Sequence, residues 1–232
     1  MPGYILHLTC ACMALEMMPE SSILRQNTKE RNAFLAGNFA PDAVTDKSFS
    51  HFRSPDRNGA MIEYPEVTEF RKKYRHLFGD SSCLGYDFHL YIDRRFFLDY
   101  LPLLIEFQDE DGKSEIRMDR VAKVLIKRTG RTVPKNDFFS EEYYYGDFTK
   151  MNSYLIKHFH LPVHLDMNIQ NPGIREVDYS DIAIVMEQLK EFCSVPEKAA
   201  DDLKVFEMEN LLNFLREATG DWVEEWNTGF WK

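Results

Sequence analysis

The stretch GYDFHLYIDRRFFLDY at residues 85–100 constrains the fold of this chain more than any other segment. It belongs to an apolar run that predicts one long helix from residue 82 to about residue 105. His89, Asp93 and Asp99 stand in this run among bulky apolar side chains. A polar group that such a helix takes out of water must be paired or bound, because leaving it unsatisfied costs several kcal/mol. These three residues are therefore the first candidates for a functional site.

His89 and Asp93 are four residues apart, so a helix places their side chains on one face about 6 Å apart. An imidazole and a carboxylate at this spacing can bind one metal ion. Gly85, one turn earlier on the same face, leaves room for another group to approach. The pattern also fits a structural arrangement, in which Asp93 pairs with a basic residue and His89 is a hydrogen-bonded core histidine. Both interpretations stay open at this point.

The first predicted helix, Tyr4 to Met18, is apolar on all sides, which is typical of a helix inside a protein. His7 interrupts it and is therefore expected to be buried. Asp42 and His51 lie in the irregular stretch that follows the second predicted helix. Together with the histidine and aspartate of the long helix, they make a set of nitrogen and oxygen donors that suits zinc and related divalent ions. A carboxylate placed between two such ions can bridge them.

The rest of the chain is also mainly helical in pattern. Further helices are predicted at residues 28–37, at 65–78 with Pro65 in the first position, at 140–159, at 178–192, and at 200–219 with Gly220 as the stop signal. The stretch EFQDEDGKSEIRM has an Asp-Gly pair between short alternating runs, which predicts a small β-hairpin or only an exposed turn. The expected fold class is all-α, a compact bundle of helices around a metal cluster, with room for this hairpin as an insertion.

The best candidate linker is NPGIREVD, around residues 171–178. Residues 1–170 are therefore expected to form one helical domain, and residues 171–232 a C-terminal helical extension packed on it.

Composition and charge narrow the function classes. The formal net charge of -10 disfavours duplex nucleic acid as a partner, although a local basic groove is compatible with it. No run of 18 or more apolar residues occurs, so no transmembrane segment is predicted. The N-terminal apolar run lacks a preceding basic residue, and the four cysteines form no CxxC pair. A cytoplasmic protein with reduced thiols is expected, while the oligomeric state stays open.

Four short segments, HLTCACMAL, AGNFAPD, SHF and GYDFHLYIDRRF, occur in an order and spacing that resemble the zinc-dependent phospholipase C family. That family is related in fold to the zinc-dependent single-strand nucleases. The resemblance covers roughly the first 105 residues. It implies a compact bundle of helices around a cluster of up to three metal ions.

The resemblance also implies a ligand set. The residues implied for one metal ion are Asp42, His51, His89 and Asp93. Asp93 would also reach a second ion held by His7. Asp99 occupies the position where catalytic members carry a histidine for another ion, and the later histidine and glutamate of that site have no match in this chain. A solvated or salt-bridged Asp99 near the helix end, before Pro102, is the alternative.

The chemistry implied is hydrolysis of a phosphodiester by a metal-activated water, which Asp42 would orient or deprotonate as the catalytic residue. Two or three zinc ions are the expected cofactor, with other divalent metals left open. The expected substrate is a small phosphodiester or a phospholipid headgroup. A non-catalytic, metal-binding helical protein with a degenerate site is the alternative.

Two further clusters offer candidate ligands or cleft residues. KHFHLPVHLD offers His158, His160 and His164, for which exposed or hydrogen-bonded side chains are favoured. YYYGDFTKMN offers three tyrosines and Asp147, for which a helix packing its aromatic face on the core is favoured.

Overall fold

The computed structural model describes residues 3–44, 46–162, 164–166, 169–182 and 196–229. This part of the chain is mostly helical, which confirms the expected fold class. The α-helices, numbered in chain order, are α1 Tyr4–Met17, α2 Ile23–Gln26, α3 Thr28–Phe39, α4 Lys47–Ser50, α5 Val67–Tyr74, α6 Ser81–Arg95, α7 Leu101–Leu104, α8 Lys135–Phe138, α9 Tyr144–His158 and α10 Met208–Asn227. A π-helical turn covers Phe96–Tyr100, and 3₁₀ turns cover Ala40–Asp42, Pro55–Arg57, Arg75–Leu77, Tyr179–Asp181 and Glu197–Asp201.

Helix α1 is buried on nearly every side, as its uniform apolar pattern predicts. His7 is only 1% exposed. The helix ends at Met17 because Met18 takes up extended backbone, with ψ at 150°, before Pro19. A residue that precedes proline is disfavoured in the helical region, which explains the end point.

Helices α3 and α6 approach closely because glycine lies at both points of contact. A Cβ atom on Gly37 would lie 1.9 Å from the carbonyl oxygen of Ser82, and one on Gly85 would lie 2.0 Å from the carbonyl oxygen of Phe34. Gly85 does leave room for another group, and that group is the backbone of α3. The contact fixes α6, which carries His89, against the end of α3.

The helix predicted from residue 82 to about 105 is one continuous helical path, and its wider middle section is a π-helical turn. Helix α6 begins after Asp80, whose carboxylate accepts hydrogen bonds from the N–H groups of Ser82 and Cys83. The π-helical turn follows α6, and α7 follows the turn. The turn changes the direction in which the later side chains point relative to a regular α-helix.

A three-stranded antiparallel sheet follows α7, in the order β1 (Ile105–Gln108), β2 (Lys123–Ile126) and β3 (Arg131–Pro134). Ile105 of β1 pairs with Ile126 of β2. The segment predicted as a hairpin or turn supplies β1 and the connection to β2. The sheet is therefore larger than the predicted hairpin, because β2 and β3 come from residues for which the sequence predicts no element.

Two predicted helix starts are wrong. Pro65 does not open a helix: it forms an isolated bridge with Arg53, and α5 begins two residues later at Val67. Helix α9 begins at Tyr144 rather than at Ser140, since turns occupy the four residues before it. The side chain of Ser140 is used in that turn, where its hydroxyl accepts a hydrogen bond from the N–H of Glu142.

The last predicted helix is shifted along the chain. Helix α10 begins at Met208 instead of Ala200 and continues through Gly220 to Asn227. Trp222 and Val223, which lie beyond the glycine, are buried. Burial of these large side chains outweighs the cost of about 1 kcal/mol for glycine in a helix interior.

Most of the helix predicted at residues 178–192 lies outside the described residues, as does Cys193. The division of the chain after residue 170 stays a prediction. Helix α10 packs against α1 and α6, and Trp222 donates a hydrogen bond through Nε1 to the buried Asp87 of α6 at 2.9 Å. In the described ranges, no helix combines the length and the apolar character needed to cross a membrane.

Candidate metal centre

Five of the residues singled out in the sequence lie together in the interior. His7 comes from α1, Asp42 from the 3₁₀ turn after α3, His51 from the position after α4, and His89 and Asp93 from α6. None of the five is more than 5% exposed. Two groups, His7–His89–Asp93 and Asp42–His51–His89, each have donor atoms within 4.8 Å of one another. Each group can therefore hold a metal ion.

His51 Nε2 lies close to three other donor atoms of the cluster. His51 Nε2 lies 3.4 Å from Asp42 Oδ1, 3.4 Å from Asp93 Oδ2 and 3.2 Å from His89 Nε2. His89 Nε2 lies 3.9 Å from Asp93 Oδ2. Donors about 2.0 to 2.1 Å from a zinc ion are separated by about 3.3 to 3.4 Å at the corners of a regular tetrahedron. The distances from His51 Nε2 to its three neighbours match the edge of such a tetrahedron, so these atoms are spaced as donors to an ion of the size of zinc.

Hydrogen bonds fix the protons of two imidazoles. Ser50 donates through Oγ to the carbonyl oxygen of Pro41 at 2.7 Å, so the same Oγ accepts a hydrogen bond from His51 Nδ1 at 3.0 Å. His89 Nδ1 donates to the carbonyl oxygen of Asn38 at 2.8 Å. With both Nδ1 atoms engaged in these hydrogen bonds, the two Nε2 atoms, 3.2 Å apart, are the ring nitrogens that remain for a metal ion. Zinc-bound histidines are commonly oriented in this way.

The carboxylate of Asp93 faces both groups. Its Oδ1 lies 3.1 Å from His7 Nε2. Its Oδ2 is buried and has no hydrogen-bond partner among the described residues, although it points toward His51 and His89. The ring of His7 stacks on that of His89, with centroids 3.7 Å apart. A carboxylate with one oxygen toward each group has the arrangement of a bridging ligand.

The ionisation of these groups favours metal binding. Burial, together with the neighbouring His7, lowers the pKa of His89 to about 3, so its imidazole is neutral at physiological pH. Burial raises the pKa of Asp42, but the hydrogen bond with His51 and the surrounding positive charge outweigh it and hold that pKa well below its usual value. The pKa of Asp93 is also lowered, since its contact with His7 outweighs burial. Metal ions require neutral imidazoles and ionised carboxylates.

Lys47 of α4 borders the cluster. Its Nζ donates to Asp42 Oδ1 at 2.6 Å. The lysine side chain is 29% exposed, whereas that of Asp42 is 3% exposed. Lys47 therefore connects the buried carboxylate to the protein surface.

The structure does not bring Asp99 to the cluster. It lies in the π-helical turn after α6, and its side chain is 49% exposed. Its carboxylate accepts a hydrogen bond from Arg95 one turn earlier and forms an ion pair with it. Asp99 thus has the contacts of a salt-bridged carboxylate near the helix end, which was the alternative raised by its sequence position.

No family model, curated protein or solved structure matches the chain. The assignment of a possible metal site therefore depends on the two buried groups themselves.

Three groups that support the site are not predicted from the sequence. The carbonyl of Asn38 and the hydroxyl of Ser50 orient the two imidazoles, and Lys47 holds Asp42. The serine that precedes His51 was a usable signal, because a hydroxyl next to a ligating histidine can accept its Nδ1 proton. The Asn38 contact is made by the backbone, so its residue type carries no signal.

The two weaker clusters do not join the site. His158 is exposed and stacks on Tyr154 with centroids 5.1 Å apart. His160 and His164 are also exposed, and neither belongs to a possible metal group among the described residues. Asp147 accepts hydrogen bonds from backbone N–H groups of residues 204–206, which gives it a structural role.

Proposed function

We propose that this chain is a metal-dependent hydrolase of phosphodiester bonds that uses a metal-activated water at the buried cluster. One observation carries the proposal: donor atoms of the buried Asp42, His51 and His89 lie within 4.8 Å of one another, and Asp93 Oδ2 lies 3.4 Å from His51 Nε2. The resemblance of the first 105 residues to the zinc-dependent phospholipase C family supports the reaction class.

The donor set of imidazole nitrogens and carboxylate oxygens favours zinc, with other divalent ions as alternatives. Asp42, His51, His89 and Asp93 would hold one ion, and Asp93 with His7 would contribute to a second. A bound divalent ion supplies a hydroxide at neutral pH and a positive charge for the phosphoryl oxygens. Asp99 would not be a ligand of the third ion that the family resemblance implies.

The protein's own groups would bind and orient the substrate. Lys47 is a partly exposed cation that touches the cluster through Asp42, so it is placed to attract the negative charge of a phosphodiester. Its contact with Asp42 also keeps that carboxylate ionised, so that its second oxygen can accept a proton from water.

A cavity of about 290 Å³ with mainly apolar walls is lined in part by residues that follow the cluster residues closely in the sequence. Arg53 lines it two residues after His51, and Phe97 lines it one turn after Asp93. Tyr144 lines it as well; burial raises the pKa of this tyrosine, and the nearby charge of Asp93 raises it further. The cavity offers room for the apolar part of a small phosphodiester, or for the apolar part of a phospholipid that lies next to the headgroup.

The competing function is that of a metal-binding helical protein without catalysis. The exposed position of Asp99, outside the cluster, favours it, because one ligand expected for full activity is not in place.

The test is turnover of bis(p-nitrophenyl) phosphate by the zinc-loaded protein, compared with His89→Ala and with His76→Ala as the control. His76 is an exposed histidine on the surface of the 3₁₀ turn after α5. We expect turnover that His89→Ala loses and His76→Ala retains. Zinc binding that His89→Ala weakens, with no turnover of any diester by the unmodified chain, would support the non-catalytic alternative.

A second variant tests the role of Lys47. Because Lys47→Met removes the cation that would meet the anionic substrate but no metal donor, we expect KM to rise about tenfold, with a smaller change in kcat. Zinc content should stay at the wild-type level. The control is Lys72→Met, an exposed lysine on α5. An unchanged KM would contradict this role for Lys47.

A further inference from the structure

Lys47 contacts an oxygen atom that belongs to the candidate metal centre. Its Nζ donates to Asp42 Oδ1 at 2.6 Å, and the same oxygen lies 3.4 Å from His51 Nε2. Asp42 and His51 belong, with His89, to one of the two groups that can hold a metal ion. The ammonium group of Lys47 therefore already lies against the carboxylate oxygen that faces His51.

An ammonium group and a divalent ion that share one carboxylate oxygen repel each other. If Lys47 kept its contact, an ion bound to Asp42 Oδ1 at about 2.1 Å would lie no more than about 4.7 Å from Nζ. Asp42 and His51 are buried, so little water screens the two positive charges. With the imidazoles neutral, as metal binding requires, the carboxylates of Asp42 and Asp93 balance the charge of one divalent ion. The charge of Lys47 is then in excess.

The side chain of Lys47 can leave Asp42 without a change in the backbone. It is 29% exposed, and its four-carbon stem is flexible, so the ammonium group can turn toward water. The ring of Tyr4 is a second partner within reach, with its centroid 6.0 Å from Nζ. This distance is at the outer limit of a cation–π contact, which a small rotation of the lysine would shorten. Asp42, in contrast, is held in the interior.

We propose that Lys47 competes with the metal ion for Asp42 Oδ1. Lys47 neutralises the buried carboxylate while no ion is bound, and an ion that binds there releases it. The lysine therefore makes the affinity of this group for metal lower than its donor atoms alone would give. The released ammonium group is then free to pair with an anionic substrate, so the ion binds before Lys47 meets the substrate. This inference rests on the metal site of the proposed function, but not on catalysis there.

The test is the Kd for zinc of the wild type and of Lys47→Met, measured at fixed pH by competition with a fluorescent zinc chelator. We expect Lys47→Met to bind zinc about tenfold more tightly, because it lacks the competing cation and retains every donor atom. Lys72→Met makes the same change in net charge at an exposed lysine of α5 and should leave the Kd within about twofold of the wild type. Lys47→Arg keeps the positive charge, so its Kd should match that of the wild type. A thermal melt checks that each variant is folded.

A double-mutant cycle with Asp42→Asn shows whether the effect passes through the shared oxygen. In that background, Lys47→Met should change the Kd for zinc by less than about twofold, because residue 42 no longer carries a charge. A gain that persists there would overturn the inference, since it would come from net charge alone. An unchanged or weaker affinity in Lys47→Met would also overturn it, and a weaker one would mean that Lys47 holds Asp42 in place for the ion. The Kd values decide this inference even if no diester is hydrolysed, in which case only the hydrolase proposal fails.

Discussion

Replacement of Asp93 by asparagine is expected to reduce the metal content of the purified protein at least about tenfold. Asp93 is the residue whose two oxygens face His7 on one side and His51 and His89 on the other. The substitution keeps the shape of the side chain, but it removes the negative charge and turns one acceptor into a donor. Elemental analysis after dialysis without chelator measures the effect, and a thermal melt checks that the variant is folded.

Asp99→Asn is the control for this experiment. It makes the same chemical change six residues later on the same helical path, at an exposed side chain paired with Arg95. We expect the metal content of Asp99→Asn to equal that of the wild type. A fall to the level of Asp93→Asn would instead place Asp99 among the ligands. A wild-type protein that retains no metal under these conditions would mean that His89 and Asp93 form ordinary buried pairs.

Helix periodicity was sufficient to predict the helices that carry His7, His89 and Asp93. The uniform apolar pattern of α1 predicted that His7 is buried, and the four-residue spacing of His89 and Asp93 predicted that their side chains lie together. The positions of Asp42 and His51 were more difficult to predict, because loop residues have no periodicity that indicates where their side chains point. Their inclusion depended on the resemblance to a metal-dependent family, and the structure brings both to the cluster.

The position of Asp99 was not predictable from spacing alone. A regular α-helix already turns residue 99 away from Asp93, and the π-helical turn changes the direction further. Such a turn depends on tertiary packing, here of Phe96, Tyr100 and their partner Phe214 from a distant helix. Gly220 failed as a stop signal for the same reason, because the burial of Trp222 overrides local propensity.

Replacement of Gly85 by alanine is expected to destabilise the protein by about 3 kcal/mol or more and to lower Tm by about 10 °C. The new Cβ atom would lie 2.0 Å from the carbonyl oxygen of Phe34, and a backbone atom cannot move aside as a flexible side chain can. Helices α3 and α6 would have to separate. Because the carbonyl of Asn38 on α3 orients the imidazole of His89 on α6, we expect metal affinity to fall together with stability.

Gly220→Ala is the matched control, as a glycine inside α10 with no atom within 4 Å of the added Cβ. It should stabilise the protein by about 0.5 to 1 kcal/mol, since alanine loses less backbone freedom than glycine when a helix forms. Urea denaturation of both variants measures the two free energies of unfolding. If Gly85→Ala were as stable as the wild type, α3 and α6 would have to be farther apart than they are here, and the hydrogen bond from His89 to Asn38 could not hold the imidazole in place.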